Sequence, residues 1–348
     1  MGHVSIYCYE ISISDVKEEK VMNQKALRMP KRIQKGDMLG VVAPSMPVKL
    51  EEKEALTAYL QKAGYKVKLG KTVEELPDFH GFMAGDGRLR AEDINRMFAD
   101  PEVDGIICAR GGYGSYHTME YLDLEMIRAH PKVFIGYSDV THFHSVFNKY
   151  CDFVTFHGPM VISNMLKGFD DYSRNSLERA LDLCAAAYAY EFRNPQDNPM
   201  YALHPGTASG MVTGGNLTLI ANSIGTFFEP ETAGKILFLE DVEESIPVLD
   251  RMITQLELAG LTTAVNGILL GNFANCSNER YDVGYQIPEF LADRFSGYRV
   301  PVIANVCSGH SRPMGTLPMG TICTMEAGQK TRIIFKRNFV SADKKKRS

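Results

Sequence analysis

From Gly36 onward the chain alternates short apolar runs with longer segments whose apolar residues recur at helical spacing. Met38 to Ala43 reads as a buried strand ending in Pro44-Ser45. Residues 51–63 carry a helical pattern closed by Gly64, the residue type that most easily turns left-handed after a helix. Residues 65–69 alternate as a strand does, Gly85-Asp86-Gly87 is a loop, and 90–99 is helical. Residues 103–109 and 133–137 are two further strands, with one helix expected between them over 115–129. Strands alternating with helices across short connections predict βαβ units and a largely parallel sheet. Sites in such sheets form beyond the carboxyl ends of the strands. Ser45, Ser115 and the Ser138-Asp139 pair all fall at ends of that kind.

The pattern loosens from about residue 166. A helix is expected over 173–187, and the polar run Arg193-Asn194-Pro195-Gln196-Asp197-Asn198-Pro199 reads as a linker or surface excursion. Regular structure resumes with a Gly/Thr/Ser-rich stretch over 206–215, a helix over 216–224 and a buried strand over 235–239 that ends in Glu240-Asp241. A helix over 247–259 and strands over 267–271 and 300–304 follow, the last ending at Ser308-Gly309-His310. The chain thus divides into an N-terminal extension (1–32), an α/β domain (33–165), a linker region (166–205), a C-terminal domain (206–340) and a basic tail (341–348).

Composition narrows the class without naming a chemistry. A 45% hydrophobic share with 23% charged residues is that of a globular protein, and 348 residues suffice for two domains. The formal net charge of −4 argues against a broad nucleic-acid face. Seven scattered cysteines form no C-x-x-C pair, which favours a reducing compartment over a disulfide framework or zinc site. No apolar run is long enough to span a membrane, and charged residues at 17–20 interrupt any signal-peptide pattern.

Candidate chemistry gathers at the strand ends. Gly111-Gly112-Tyr113-Gly114-Ser115 joins the strand at 103–109 to the segment after it. A serine at such a turn has its Oγ lifted from the sheet, with backbone N–H groups converging beside it. The same turn also suits a serine that only caps a helix. An acyl-transfer serine needs a base to take its proton, and the base needs an acid to fix its tautomer. Glu240 and His310 each follow a strand, so Ser115, Glu240 and His310 share one topographic address. Asp241, Glu243 and Glu244 compete with Glu240, and a loop histidine often has a structural task only. His142 and His144 lie in a helical stretch where i and i+2 diverge, so no metal site is expected there. Gly112-Tyr113-Gly114 begins like a dinucleotide fingerprint, but His117 fills the third glycine position and no P-loop pattern occurs, so no cofactor is expected. The turn departs from the G-x-S-x-G elbow as well, with glycine directly before Ser115 and His117 at the +2 place.

The run Ala109-Arg110-Gly111-Gly112-Tyr113-Gly114-Ser115 resembles the nucleophile segment of the LD-carboxypeptidases, a serine peptidase family that includes the microcin-immunity peptidases. The resemblance continues in Gly36 to Ser45, in Phe134-Ile135-Gly136-Tyr137-Ser138-Asp139-Val140-Thr141 and in His157-Gly158-Pro159-Met160. It extends to Gly214-Gly215-Asn216-Leu217, Leu237 to Asp241 and Gly309-His310 to Gly320, covering roughly residues 33–325 in order. It implies a flavodoxin-like parallel-sheet N-terminal domain and a smaller, β-rich α/β C-terminal domain, with the active site at their interface. It matches Ser115 to the nucleophile, Glu240 to the triad acid and His310 to the general base. By analogy with other elbow serines, the backbone N–H of Tyr116 is an oxyanion donor, with a second from the Gly85 loop. The implied reaction is removal of the terminal D-alanine from a murein tetrapeptide in the cytoplasm, by an enzyme that is commonly a homodimer. A carboxypeptidase must hold a free carboxylate, and Arg110, Arg312 and Arg88 are the forks near these motifs.

Two other functions remain in view. A microcin-immunity type of enzyme would cleave aminoacyl-nucleotide antibiotics; such members tend to carry Asn beside the serine turn, where this chain has Tyr113-Gly114. A non-catalytic ligand-binding α/β protein would need none of Ser115, Glu240 and His310.

Overall fold

The computed structural model describes residues 26–185, 187–278 and 284–338. The expected basic tail and most of the expected extension lie outside that set. Five strands follow the predicted alternation: β1 (Met38–Val42), β2 (Lys66–Leu69), β3 (Gly105–Cys108), β4 (Val133–Gly136) and β5 (Thr155–His157). All pair in parallel, in the order β5-β4-β3-β1-β2. That is the flavodoxin-like doubly wound order, whose ligand crevice lies where the winding reverses, between β1 and β3.

Successive strand residues point to opposite faces, and both faces are covered. Val41, Ile107 and Ile135 pack with Leu56 and Leu60 of the helix Leu50–Lys62. Their neighbours Val42, Ile106 and Phe134 pack with Ile94 and Phe98 of the helix Gly87–Ala99 and with Phe143 and Phe147 of the helix Thr141–Tyr150. Burial on two faces explains why these strands are continuously apolar.

The single helix expected over 115–129 is broken. Two 3₁₀ turns, Ser115–His117 and Met119–Tyr121, precede a short α-helix, Leu124–Ala129. Leu122 is extended, and the Asp123 carboxylate starts the new helix by accepting the Met126 N–H at 3.0 Å.

The second sheet has eight strands. They are β6 (Ala189–Phe192), β7 (Tyr201–His204), β8 (Gly206–Asn216), β9 (Ile236–Val242), β10 (Gly267–Ala274), β11 (Val302–Ala304), and β13 and β14 (Ile322–Ala327 and Arg332–Lys336). β12 (Leu317–Met319) lies between β11 and β13 in sequence but leaves this sheet to pair antiparallel with β5 of the first. The eight run in the order β6-β14-β13-β8-β9-β10-β11-β7. A parallel centre, β8 to β11, is thus flanked by antiparallel edges.

The segment 166–205 is therefore no linker. It contains the helix Asp171–Asp182 and the strands at both edges of the second sheet. Nor is the segment up to residue 32 wholly an extension, since Leu27 is buried and Arg28 bridges to Phe153. One face of the second sheet (Phe238, Leu269, Ile303) shares a core with Val41 and Ile135 of the first. A common core holds the two units in fixed apposition, with the carboxyl ends of β4, β9 and β11 meeting at the seam. Among the described residues no helix is long and apolar enough to cross a membrane.

Candidate active site

Beyond β4 the chain passes through Tyr137 into Ser138, whose φ of 64° is in the left-handed region. A non-glycine residue there carries about 1–3 kcal/mol of strain and persists only where its surroundings impose it. Two glycines make the room. A Cβ on Gly136 would lie 2.9 Å from Val140, and one on Gly111 would lie 2.9 Å from the Ser138 Cβ. A 3₁₀ turn, Ser138–Val140, then feeds the helix Thr141–Tyr150, so Ser138 sits on a sharp strand-to-helix turn. It is half-buried.

The partners arrive from the second sheet. Glu240 is fully buried on β9. Its Oε2 lies 2.7 Å from His310 Nδ1 and also accepts the His310 backbone N–H at 3.3 Å. A carboxylate can only accept, so Nδ1 carries the hydrogen and Nε2 presents a lone pair. That Nε2 is 3.0 Å from Ser138 Oγ. Tyr137 braces the imidazole edge-on, with ring centroids 4.9 Å apart. Burial disfavours the imidazolium, but the charge and hydrogen bond of Glu240, with Asp241 and Glu243 behind it, outweigh burial and hold the His310 pKa above its ordinary value.

Geometry separates Glu240 from its neighbour Asp241. Asp241 points away and is committed to Asn216 Nδ2 (3.0 Å), Thr218 N (3.0 Å), Thr218 Oγ1 (2.9 Å) and Val242 N (2.8 Å). Gly309 is what allows Glu240 beneath His310. Its φ is +111°, and a Cβ there would stand 2.5 Å from Glu240 Oε2. Gly309→Ala is expected to lower kcat about 100-fold by displacing the carboxylate, with loss of thermal stability alongside; steady-state kinetics and a melting curve check both.

Ser115 does not join Glu240 and His310. It is fully buried, and its Oγ is 2.9 Å from Asp139 Oδ1 and 2.9 Å from His142 Nδ1. Its backbone N–H donates to Asp139 Oδ2 at 2.8 Å. The physical reason is the position of the glycine turn: Gly111, not Ser115, abuts the Ser138 corner, and the chain then dives inward through Gly114 at φ +101°. The serine on His310 is Ser138. The sequence pattern puts it at a strand end without singling it out, although Gly136-Tyr137-Ser138 is the first half of a G-x-S-x-G elbow, with Val140 in place of the closing glycine.

The other expected residues have other partners. The Gly85 N–H donates to Met83 O at 3.0 Å, so it is not a free oxyanion donor. Tyr116 follows Ser115, which is not the serine in contact with His310, and its hydroxyl contacts that of Tyr113. Arg110 is held by both Glu52 oxygens at 3.2 Å. Arg88 lies over the Tyr121 ring at 4.6 Å. Arg312 is exposed and donates to the Ser163 and Lys167 carbonyls at 3.1 and 3.5 Å, keeping a fork two residues from His310 with no carboxylate of the described residues on it.

Comparison with known proteins follows the same lines. The family description "LD-carboxypeptidase N-terminal domain" matches residues 39–158, and "LD-carboxypeptidase C-terminal domain" matches 209–325. The chain is 35% identical over 308 residues to the probable murein peptide carboxypeptidase of Bacillus subtilis (strain 168), covering 88% of this chain and 93% of the relative. It is 27% identical over 338 residues to the microcin C7 self-immunity protein MccF of Escherichia coli, covering 89% and 96%. The fold superposes on the crystal structure of muramoyltetrapeptide carboxypeptidase from Oxalobacter formigenes with a TM-score of 0.75, at 26% identity, covering 86% of this chain and 98% of that one. Two matched domains in order, with like-sized relatives aligned nearly end to end, assign the chain: it belongs to the LD-carboxypeptidase family of peptidases.

Proposed function

We propose that the protein removes the terminal D-alanine from a murein tetrapeptide by acyl-enzyme catalysis, with Ser138 as nucleophile, His310 as general base and Glu240 as its acid partner. The observation that carries this reading is the contact of His310 Nε2 with Ser138 Oγ at 3.0 Å while Nδ1 meets Glu240 at 2.7 Å. Ser138 attacks the carbonyl carbon and its proton passes to His310 Nε2. Glu240 stabilises the imidazolium. The same proton then goes to the departing amine of D-alanine, and water repeats the sequence on the ester.

The developing oxyanion needs donors aimed in advance, each worth about 3–4 kcal/mol. In this reading the N–H of Asp139, directly after the nucleophile, is one, and Gly112 of the abutting glycine turn supplies the other. Arg312 is the fork for the substrate's terminal carboxylate. The murein carboxypeptidase relative supports the substrate class, and the MccF relative supports an alternative, cleavage of an aminoacyl-nucleotide. Purified protein incubated with murein tetrapeptide is expected to release free D-alanine. No D-alanine, with turnover of an aminoacyl-adenylate analogue, would establish the alternative instead.

A further inference from the structure

The buried serine that the glycine turn delivers has its own arrangement. Asp139, the residue after Ser138, is 2% exposed and its carboxylate is held from three sides. Ser45 Oγ donates to Oδ2 at 2.6 Å, the Ser115 N–H reaches Oδ2 at 2.8 Å, and Ser115 Oγ lies 2.9 Å from Oδ1. Ser115 Oγ also meets Nδ1 of His142, itself 1% exposed, at 2.9 Å. The far nitrogen of that ring, Nε2, is 2.9 Å from the Leu219 carbonyl, on the helix Leu217–Ser223 of the second unit. A carbonyl can only accept, so Nε2 carries a hydrogen. With one hydroxyl proton for two acceptors, Ser115 completes both of its contacts only when Asp139 or His142 carries a further proton. The three side chains are therefore one interdependent unit. Nearby, the same seam is tied again by Asn216 N donating to Thr141 Oγ1 at 3.1 Å.

We infer that Ser115 is a positioning residue: the strut Asp139–Ser115–His142–Leu219 fixes the strained Ser138 turn against the unit that carries Glu240 and His310. The proposal rests on Ser138 being the nucleophile. Its logic is geometric. The Asp139 side chain is the handle on the peptide that carries both the Ser138 Oγ and the Asp139 N–H. Ser115→Ala takes away the Oδ1 contact and the link to His142 while Ser45 Oγ and the residue-115 N–H stay on Oδ2, so the carboxylate is free to turn about Oδ2 and to carry the Ser138 Oγ and the Asp139 N–H off line. A misaim of this kind lowers transition-state stabilisation more than ground-state binding.

The test uses Ser115→Ala, His142→Phe and the double variant, with Ser138→Ala as reference. His142→Phe keeps a ring against Phe228, which it meets at 4.9 Å, and removes both nitrogens. Each single substitution is expected to lower kcat about tenfold with KM within about twofold, and the double variant to be no slower than the poorer single. Additive losses, a change in KM alone, or wild-type kcat in either folded single variant overturns the strut. If Ser115→Ala does not fold, His142→Phe decides: a fall in kcat at unchanged KM supports the inference, and wild-type kcat rejects it. If Ser138→Ala retains activity, the nucleophile assignment has failed rather than the strut.

Discussion

Ser138→Ala is expected to lower kcat for D-alanine release by about a millionfold, the scale of losing the nucleophile from an intact triad. Steady-state assay on murein tetrapeptide reads it directly. The contrast with Ser115→Ala is what gives the number meaning. Both serines come after a strand of the same sheet, Ser115 directly behind Gly114 and Ser138 two residues after Gly136. Each has an imidazole nitrogen within reach, but the ring on Ser138 is backed by the buried Glu240 carboxylate whereas the His142 ring on Ser115 is backed by the Leu219 carbonyl. Of the two serines, Ser138 alone has its own φ in the left-handed region. Ser115 already has two acceptors on its hydroxyl and no solvent path, so its loss is expected to cost about tenfold through geometry alone.

Glu240→Gln is expected to lower kcat about 10⁴-fold, because an amide no longer enforces the tautomer that leaves Nε2 free. The variant should also change the pH profile, and the sign follows from the raised pKa of His310. The base works when neutral, so wild-type kcat/KM falls on the acid side as pH drops through a value above that of an ordinary histidine. Burial pulls that pKa down and Glu240 pushes it up. With the carboxylate charge removed, burial dominates and the acid limb moves to lower pH. A pH series of kcat/KM on both proteins checks this; an unmoved limb would mean that another group sets it.

The centre of the first sheet was legible because its strands are buried on both faces, so runs such as Gly105–Cys108 stand out as continuous apolar segments. The edges of the second sheet were not. Ala189–Phe192 and Tyr201–His204 owe their strand character to pairing with β14 and β11, more than 90 residues downstream, and no local pattern announces that. The candidate site was half legible. Glu240 lies near the carboxyl end of one buried strand and His310 follows another, and the structure brings them together. Glycine density, however, marks the segment that must be thin, not the atom that reacts. Gly111 is there because Ser138 comes against it from the neighbouring strand, and that partner is 27 residues away by subtraction (138 − 111). Proximity across a sheet, not along the chain, selects the serine.

The central claim is that His310 activates Ser138 across the seam between the two units. A serine-directed fluorophosphonate, followed by peptide mass spectrometry, tests it most directly. The account predicts one adduct, on Ser138, retained in Ser115→Ala and lost in His310→Ala. An adduct on Ser115, or labelling of Ser138 undiminished without His310, would contradict it.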